Sequence, residues 1–493
     1  MHAQDSKKTN RTILLILTAL AAVGLRVWNL NLPFVEPYNS IARQSIVASV
    51  ARNFYENGFN FSYPEINENG RGPYLYNAEM PFYSYAMALG YKMMGGVKEG
   101  AARAVSVGFS LLTLLFVYLS AKRIFLKETS ALVALLFISF SPLYLAISRS
   151  IQPESAFLAG LMGALYFFQR YLDKEELLSF WLSAIFLSFA VATKFFNAYL
   201  LVLIVYMAWR AKGFSIFCDL KNYLYIIVVC LSFVWYWYMW KLGLEMNLAY
   251  YPYRYLGNKA GAATSAAEII LFWPAIIQCL KIFFIHILTP VGSILFFAGF
   301  LKKPKREEDT FLVVWFVITL VTLIVGWKTV AQHSYYQIPL VLPAAFFVAR
   351  GYEALRLDRK SIVATLVLAA GVFCASYFYK GLYFIPERRM AIIRAGEETD
   401  RLIPKTSLLV ASHETSAIQL YYAHRRGWQF SLIGRGSEAL IKELEAHRRE
   451  GAEFFLATAL DDLKKVSGFE NYLRRQYKVL KETVDFVLFD LRA

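Results

Sequence analysis

Phe34-Val35-Glu36-Pro37-Tyr38-Asn39-Ser40-Ile41-Ala42-Arg43-Gln44 is the first polar stretch after the apolar run from Ile13 to about Leu30. It leads on to Ala51-Arg52-Asn53-Phe54. A carboxylate and two guanidiniums therefore stand beside the end of a segment long enough to enter a bilayer. A carboxylate can take a proton from a hydroxyl, and a guanidinium can hold a phosphate. Outward from this stretch the chain alternates long apolar runs with short basic loops, and that alternation decides the fold class.

Of the 493 residues, 57% are hydrophobic, 17% aromatic and only 18% charged. Mean hydropathy is +0.42. Soluble domains carry about a quarter charged residues, so the composition is that of a membrane protein. The net charge of +16 does not argue for nucleic acid, because its Lys and Arg fall largely in short loops between apolar spans. Cys218, Cys230, Cys279 and Cys374 are widely spaced and mostly inside apolar segments, with neither metal-ligand spacing nor a disulfide framework.

About eleven spans follow from the rule that roughly 20 apolar residues cross a bilayer. They lie near 13–30, 101–121, 129–148, 154–171, 177–193, 195–210, 222–241, 284–301, 310–327, 336–352 and 361–379. Lys7, Lys8 and Arg11 precede the first run. The run is long and no small-residue cleavage site follows it cleanly, so an uncleaved span is expected rather than a signal peptide. Lys122-Arg123 with Lys127, Arg170 with Lys174, Arg210 with Lys212, Lys302 to Arg306, and Arg356 with Arg359-Lys360 fall on one side. Positive-inside bias makes that side cytoplasmic, together with the N-terminus. An odd number of spans then puts the C-terminal segment outside.

Residues 1–385 form the membrane domain in this reading, with a long first outer loop, 31–100, that carries juxtamembrane helices. Asn39 to Asn57 has apolar Val47, Val50 and Phe54 at helical spacing. Asn67-Glu68-Asn69-Gly70 reads as a turn, and an aromatic helix follows Glu79-Met80-Pro81 as far as about Met94. A second outer loop, 243–283, holds Tyr250-Tyr251-Pro252-Tyr253-Arg254-Tyr255, which suits the headgroup zone. From about Pro386 the composition becomes that of a soluble domain. Strands are predicted at 407–411, 453–457 and 484–491 and a helix at 434–451, so residues 386–493 read as an extracytoplasmic α/β domain.

Several charges stand where charge is costly. Arg149 and Glu154 bracket Ser150-Ile151-Gln152-Pro153, and Lys194 lies between two apolar runs. Charges at such depth usually mark a pathway or a site, although an Arg–Glu pair can also simply tie helix ends and a Lys can snorkel. Glu36 is the first candidate base, its alternative use being a solvated loop carboxylate. Arg43 and Arg52, nine residues apart, are offset by about half a turn on an ideal helix. His333 in Gln332-His333-Ser334-Tyr335-Tyr336-Gln337-Ile338-Pro339 can hydrogen-bond a phosphate. It has no second ligand at metal spacing.

Six stretches in order carry a resemblance. They are Ala51 to Tyr55 with Gly58 to Phe61, Glu79-Met80-Pro81, Ser141-Pro142 through Arg149 to Glu154, Thr193-Lys194, His333 to Pro339, and Tyr421-Tyr422-Ala423-His424-Arg425-Arg426-Gly427-Trp428. The chain resembles the GT-C superfamily of membrane glycosyltransferases. The branch is similar to the bacterial relatives of protein O-mannosyltransferases and aminoarabinose transferases. The resemblance implies a polyprenyl-phosphate sugar donor, an inverting displacement, and an acceptor outside the cytoplasm: a protein, a lipid or a glycan of the cell envelope. It implies a multi-pass protein of the plasma (inner) membrane, with no nucleic-acid partner. Glu36 and Glu79 are then the catalytic carboxylates. Arg43, Arg149, Lys194 and His333 bind donor phosphate, and Asn39, Arg52, Glu154, Tyr336 and Gln337 line the donor and acceptor pocket. No redox cofactor is required, and metal dependence is open. Glu36, Glu79 and Glu154 have the oxygen ligands for a divalent cation such as Mg or Mn, and Arg and Lys can equally neutralise the phosphate.

One departure stands out. Many relatives carry an Asp two residues after Trp-Arg-Gln, where this chain has Ala42-Arg43-Gln44-Ser45-Ile46. Glu36 is the nearest substitute. The departure keeps open a member that has lost activity and scaffolds a glycan assembly complex. A transporter or flippase of lipid-linked sugar is the other rival. Transporters commonly show internal repeats, and the first loop is not repeated in the second half of the chain.

Overall fold

The computed structural model describes residues 2–35, 41–72, 74–75, 79–125, 127–245, 266–302, 310–355, 360–413 and 417–492. The aromatic run Tyr250–Tyr255 of the second outer loop therefore lies outside the described residues. The chain divides into two compact units. The first comprises Met1–Leu30, Asn77–Tyr83 and Arg103–Lys380, and the second Asn31–Tyr76, Ser84–Ala102 and Gly381–Ala493.

The first unit is helical, and small residues set its closest packing. Helix Glu154–Lys174 lies against Leu177–Thr193. A Cβ on Gly160 would stand 2.9 Å from both the Ala190 Cβ and the Phe186 carbonyl oxygen. Ser183 Oγ donates to the Ala164 carbonyl at 2.8 Å across the same seam. Helices Thr289–Leu301 and Val341–Ala354 meet at Gly299 and Gly351, where a side chain on either would strike the backbone of the other. In a bilayer apolar surface gains little from helix pairing, so van der Waals contact between close backbones has to supply the stability.

Glu99–Ile124, Phe195–Cys218 and Leu220–Gly243 are each long and apolar enough to cross a membrane among the described residues. A fourth candidate, Trp273–Ile287 with Thr289–Leu301, bends by 100°. Its hinge is Thr289, a buried residue at φ +62°, which follows a π-helical turn at Ile282–Ile287. Helices such as Glu128–Phe140, Leu177–Thr193 and Thr310–Val325 are apolar but shorter. The count of about eleven spans requires these shorter helices to cross as well. The run at 129–148 illustrates the difficulty: it breaks at Ser141, and Pro142 starts a second helix, Pro142–Ile147. Ile13, Leu17, Leu20, Trp237, Ile294, Val321 and Ile324 are exposed, as lipid-facing side chains require. The protein is a multi-pass membrane protein.

The second unit is built on a five-stranded sheet in the order β4-β3-β5-β7-β6. Its strands are β3 (Leu409–Ser412), β4 (Gly427–Gln429), β5 (Phe454–Ala457), β6 (Lys478–Glu482) and β7 (Val487–Asp490). β3 runs parallel to β4 and β5, and β7 is antiparallel to β5 and β6. Both faces are covered. Val410, Phe455 and Phe489 pack with Leu440, Leu444 and Phe469, while Leu409, Ala411, Leu456 and Leu488 pack with Ala395 and Leu420. Burial on both faces explains why these strands are continuous apolar runs rather than alternating ones.

Residues 31–76 and 84–100 of the long first loop belong to this second unit. Helices Ile41–Asn57 and Phe82–Met93 form in that loop as expected, and between them a short hairpin pairs β1 (Glu65–Ile66) with β2 (Tyr74–Leu75). The turn after β1 docks on the edge of β4. Gly70 N–H donates to the Gly427 carbonyl at 2.7 Å, and Gly427 N–H donates to the Asn67 carbonyl at 3.0 Å. Gly70 adopts φ +106°, and a Cβ there would enter the Trp428 ring at 2.7 Å. Only glycine combines that backbone with that approach.

Candidate functional site: a buried ammonium where two helices break

Helix Leu177–Thr193 ends at Lys194, which is extended, and a 3-10 turn, Phe195–Ala198, begins the next helix. Tyr236 Oη reaches the Val191 and Ala192 carbonyls, each at 2.9 Å, and fixes this end. A second break lies in the same unit. There His333 is extended and the 3-10 segment Ser334–Leu340 precedes helix Val341–Ala354. Non-helical backbone at membrane depth is tolerated where it is buried in protein or lines a cavity.

Lys194 is buried, and its Nζ pairs with Glu154 Oε1. Glu154 opens helix Glu154–Lys174, where the N-terminal dipole favours a carboxylate. Four rings surround the ammonium: Tyr336 at 4.8 Å, Tyr335 at 5.1 Å, Phe157 at 5.7 Å and Phe196 at 5.8 Å from their centroids. Their faces attract a cation and keep water from it. His333 stacks on Tyr335 at 5.3 Å with an interplanar angle of 15°. Gln337 is buried, and neither its Nε2 nor Glu154 Oε2 has a hydrogen-bond partner among the described residues. Glu79 is buried beside the end of the same helix, because its neighbour Met80 donates from N–H to the Ala192 carbonyl at 3.0 Å.

The structure thus gathers Glu154, Lys194, His333 and Tyr336 in one cluster. Arg149 is fully buried and donates through Nη1 to the Leu25 and Arg26 carbonyls at 2.8 and 3.0 Å. Those bonds tie it to the end of the first helix. Arg43 and Arg52 belong to the second unit. Arg52 donates to the Tyr421 carbonyl at 2.6 Å and lies 3.7 Å from the centroid of that residue's ring. Glu36 and Asn39 lie outside the described residues. No three His, Cys, Asp or Glu side chains gather in metal-binding fashion among the described residues.

Two comparisons bear on this arrangement. A family model described as dolichyl-phosphate-mannose-protein mannosyltransferase matches residues 78–240, a window that contains Glu79, Arg149, Glu154 and Lys194. ArnT from Cupriavidus metallidurans, solved with undecaprenyl phosphate bound, superposes with a TM-score of 0.63 over 98% of each chain at 12% identity. The chain has the GT-C fold.

A second GT-C structure, AglB from Archaeoglobus fulgidus in complex with an inhibitory peptide and a dolichol-phosphate, gives a TM-score of 0.61 at 11% identity. It covers 97% of this chain and 74% of that one. In sequence, an uncharacterized protein of Aquifex aeolicus (strain VF5) is 28% identical over 304 residues. That match spans 59% of this chain and 56% of the relative's length. Sequence reasoning missed Tyr335, Phe157 and Phe196 as members of the cluster. The signal was present, since Phe196 follows Lys194 by two residues and Phe157 follows Glu154 by one helical turn.

Proposed function

We propose that the protein is a glycosyltransferase that moves a sugar from a polyprenyl-phosphate donor to an extracytoplasmic acceptor in the plasma (inner) membrane, with an inverting displacement. The acceptor is a protein, a lipid or a glycan. The observation that carries this reading is the buried Lys194 ammonium, paired with the Glu154 carboxylate and ringed by aromatics at the junction of broken helices. In the reaction an acceptor hydroxyl oxygen attacks the anomeric carbon opposite the phosphate. The bond from that carbon to the phosphate oxygen breaks, and the polyprenyl phosphate leaves with the electron pair. The hydroxyl proton passes to the Glu36 carboxylate, and Glu79 is the second catalytic carboxylate.

Negative charge grows on the leaving phosphate, and a charge fixed in a dry site stabilises that growth far more than water would. Lys194 fills that role, Glu154 orients it, and His333, Tyr336 and Gln337 line the donor pocket. Arg149 acts from behind by holding the end of the first helix. Arg43, Arg52 and Asn39 serve the loop that meets donor and acceptor. A divalent cation would take oxygens of Glu79 and Glu154, where it would compete with Lys194 for Glu154. Turnover is therefore expected to survive chelation, and loss that Mg or Mn reverses would assign the neutralisation to the metal.

The test is donor turnover, slow hydrolysis included, by the purified protein in nanodiscs with a panel of polyprenyl-phosphate sugars. One donor turned over by the wild type and not by Glu36→Gln supports the enzyme and its base. Vectorial movement of intact donor would favour the flippase. Donor binding without turnover, with acceptor extracts supplied, would favour the inactive scaffold that the missing Asp suggests.

A further inference from the structure

A broken helix frees carbonyls, and the donors that take them up hold the break in place. In an unbroken helix the Val191 and Ala192 carbonyls would accept from the N–H groups of Phe195 and Phe196. Lys194 is extended, at φ −151° and ψ 116°, so helix Leu177–Thr193 stops there. Both carbonyls find donors from elsewhere in the chain. Tyr236 Oη reaches each of them at 2.9 Å, and Met80 N–H donates to the Ala192 carbonyl at 3.0 Å. One carbonyl oxygen has two lone pairs and can serve both. A buried carbonyl without a donor is costly, so these donors are part of the break.

The hydroxyl is aimed by a polar seam one turn earlier. Ser188 Oγ and Ser232 Oγ lie 2.7 Å apart, and Ser232 Oγ donates to the Ser188 carbonyl at 2.8 Å. Ala192 follows Ser188, and Tyr236 follows Ser232, by four residues, so each pair shares a helix face. Tyr236 is buried, and its ring stands edge-on to Phe195 at 5.9 Å. From the other side Phe82, two residues past Met80, packs on Phe189 at 5.7 Å. Three elements thus meet at the Ala192 carbonyl: the helix end that presents Lys194, helix Ser232–Glu245, and the turn that carries Glu79.

We propose that Tyr236 is a positioning residue: its hydroxyl keeps the helix broken at Lys194 and, through the shared Ala192 carbonyl, locks that helix end to the Glu79 turn. Without the hydroxyl the Val191 carbonyl is free to take Phe195 N–H, which re-forms the helix through residue 194 and turns the ammonium out of its place. The inference rests on the reading of Lys194 as the cation that meets the leaving phosphate. That charge grows only in the transition state, so a misplaced Lys194 costs kcat rather than KM.

The test is steady-state turnover in nanodiscs of whichever undecaprenyl-phosphate sugar the full-length wild type accepts. Tyr236→Phe keeps the ring and deletes the hydroxyl, and it should lower kcat about tenfold or more with KM little changed. Ser232→Ala loosens the same helix pair one turn away and should keep the wild-type kcat. An unchanged kcat in Tyr236→Phe, or an equal fall in both variants, would overturn the proposal while a loss in Lys194→Met/Glu154→Leu still upheld the phosphate reading. Turnover that survives in that double variant would overturn the phosphate reading and the catalytic role of Tyr236 with it. Hydrogen exchange tests the lock on the wild type with neither donor nor variant. In mild denaturant, peptides covering residues 79–83 and 190–198 should open together as one unit. Independent opening of the two would reject the lock.

Discussion

Lys194 in the first unit and Arg425 in the second are both buried cations, and they are held in opposite ways. Arg425 is 1% exposed, and its guanidinium is spent on the fold. Nε donates to the Pro404 carbonyl at 2.9 Å, Nη2 to Ile403 at 2.6 Å, Nη1 to Ala423 at 2.8 Å, and Asp400 completes an ion pair. Lys194 has the Glu154 carboxylate and four aromatic faces around it, and the second oxygen of that carboxylate has no hydrogen-bond partner among the described residues. A planar fork matched to fixed carbonyls is a staple. A point charge among rings can turn toward an incoming phosphate. Burial alone does not mark a working cation; the identity of its partners does.

The largest expected effect sharpens this contrast. Arg425→Met leaves Asp400 with Lys405 alone among the described residues and several carbonyls without their donor, and should lower the stability of the second unit by about 3–5 kcal/mol. Thermal or denaturant unfolding followed at that unit checks it, and adding Asp400→Leu should restore little, because the carbonyls remain orphaned. The corresponding double change at the other site, Lys194→Met with Glu154→Leu, replaces an ion pair by apolar groups and should leave the protein folded. Donor turnover should nonetheless fall about a hundred- to a thousandfold, the usual cost of removing one fixed charge-stabilising donor. Loss of fold in this variant and not in the first would reverse the comparison.

A smaller effect concerns Glu68, in the turn that docks on Gly427. Burial pushes its carboxyl up to about 7 from the usual 4.5. The folded state therefore holds a proton that the unfolded chain has released. The contribution is full below pH 4.5 and is lost as pH rises through 7. Glu68→Gln should remove that slope, worth on the order of 1–3 kcal/mol by pH 8, and unfolding at pH 5 and pH 8 measures it. Smaller still, Arg52→Lys keeps the charge but loses the planar contact with Tyr421, and should cost about 1 kcal/mol in the same assay.

Much of this was legible in the sequence, for physical reasons. Strands β3, β5 and β7 are doubly buried apolar runs and were read within a few residues of where they lie. β4 was not, because it is three residues long and begins with glycine. β6 was not, because Lys-Val-Leu-Lys-Glu is an edge strand with exposed charges, a pattern that looks like loop. The docking of the 65–75 hairpin on Gly427 joins residues hundreds of positions apart, and no local periodicity encodes it. Lys194 and Glu154 were legible because charge in an apolar run is conspicuous. The rings around them were not, since Phe and Tyr are everywhere in this chain.

The central claim is that Lys194 stabilises the phosphate leaving group of a lipid-linked sugar. The most direct measurement is donor turnover in nanodiscs by the wild type and by Lys194→Met/Glu154→Leu, at saturating donor and with folding verified. The account predicts turnover by the wild type and a loss of about a hundredfold or more in the folded variant. Equal turnover by both proteins would contradict it.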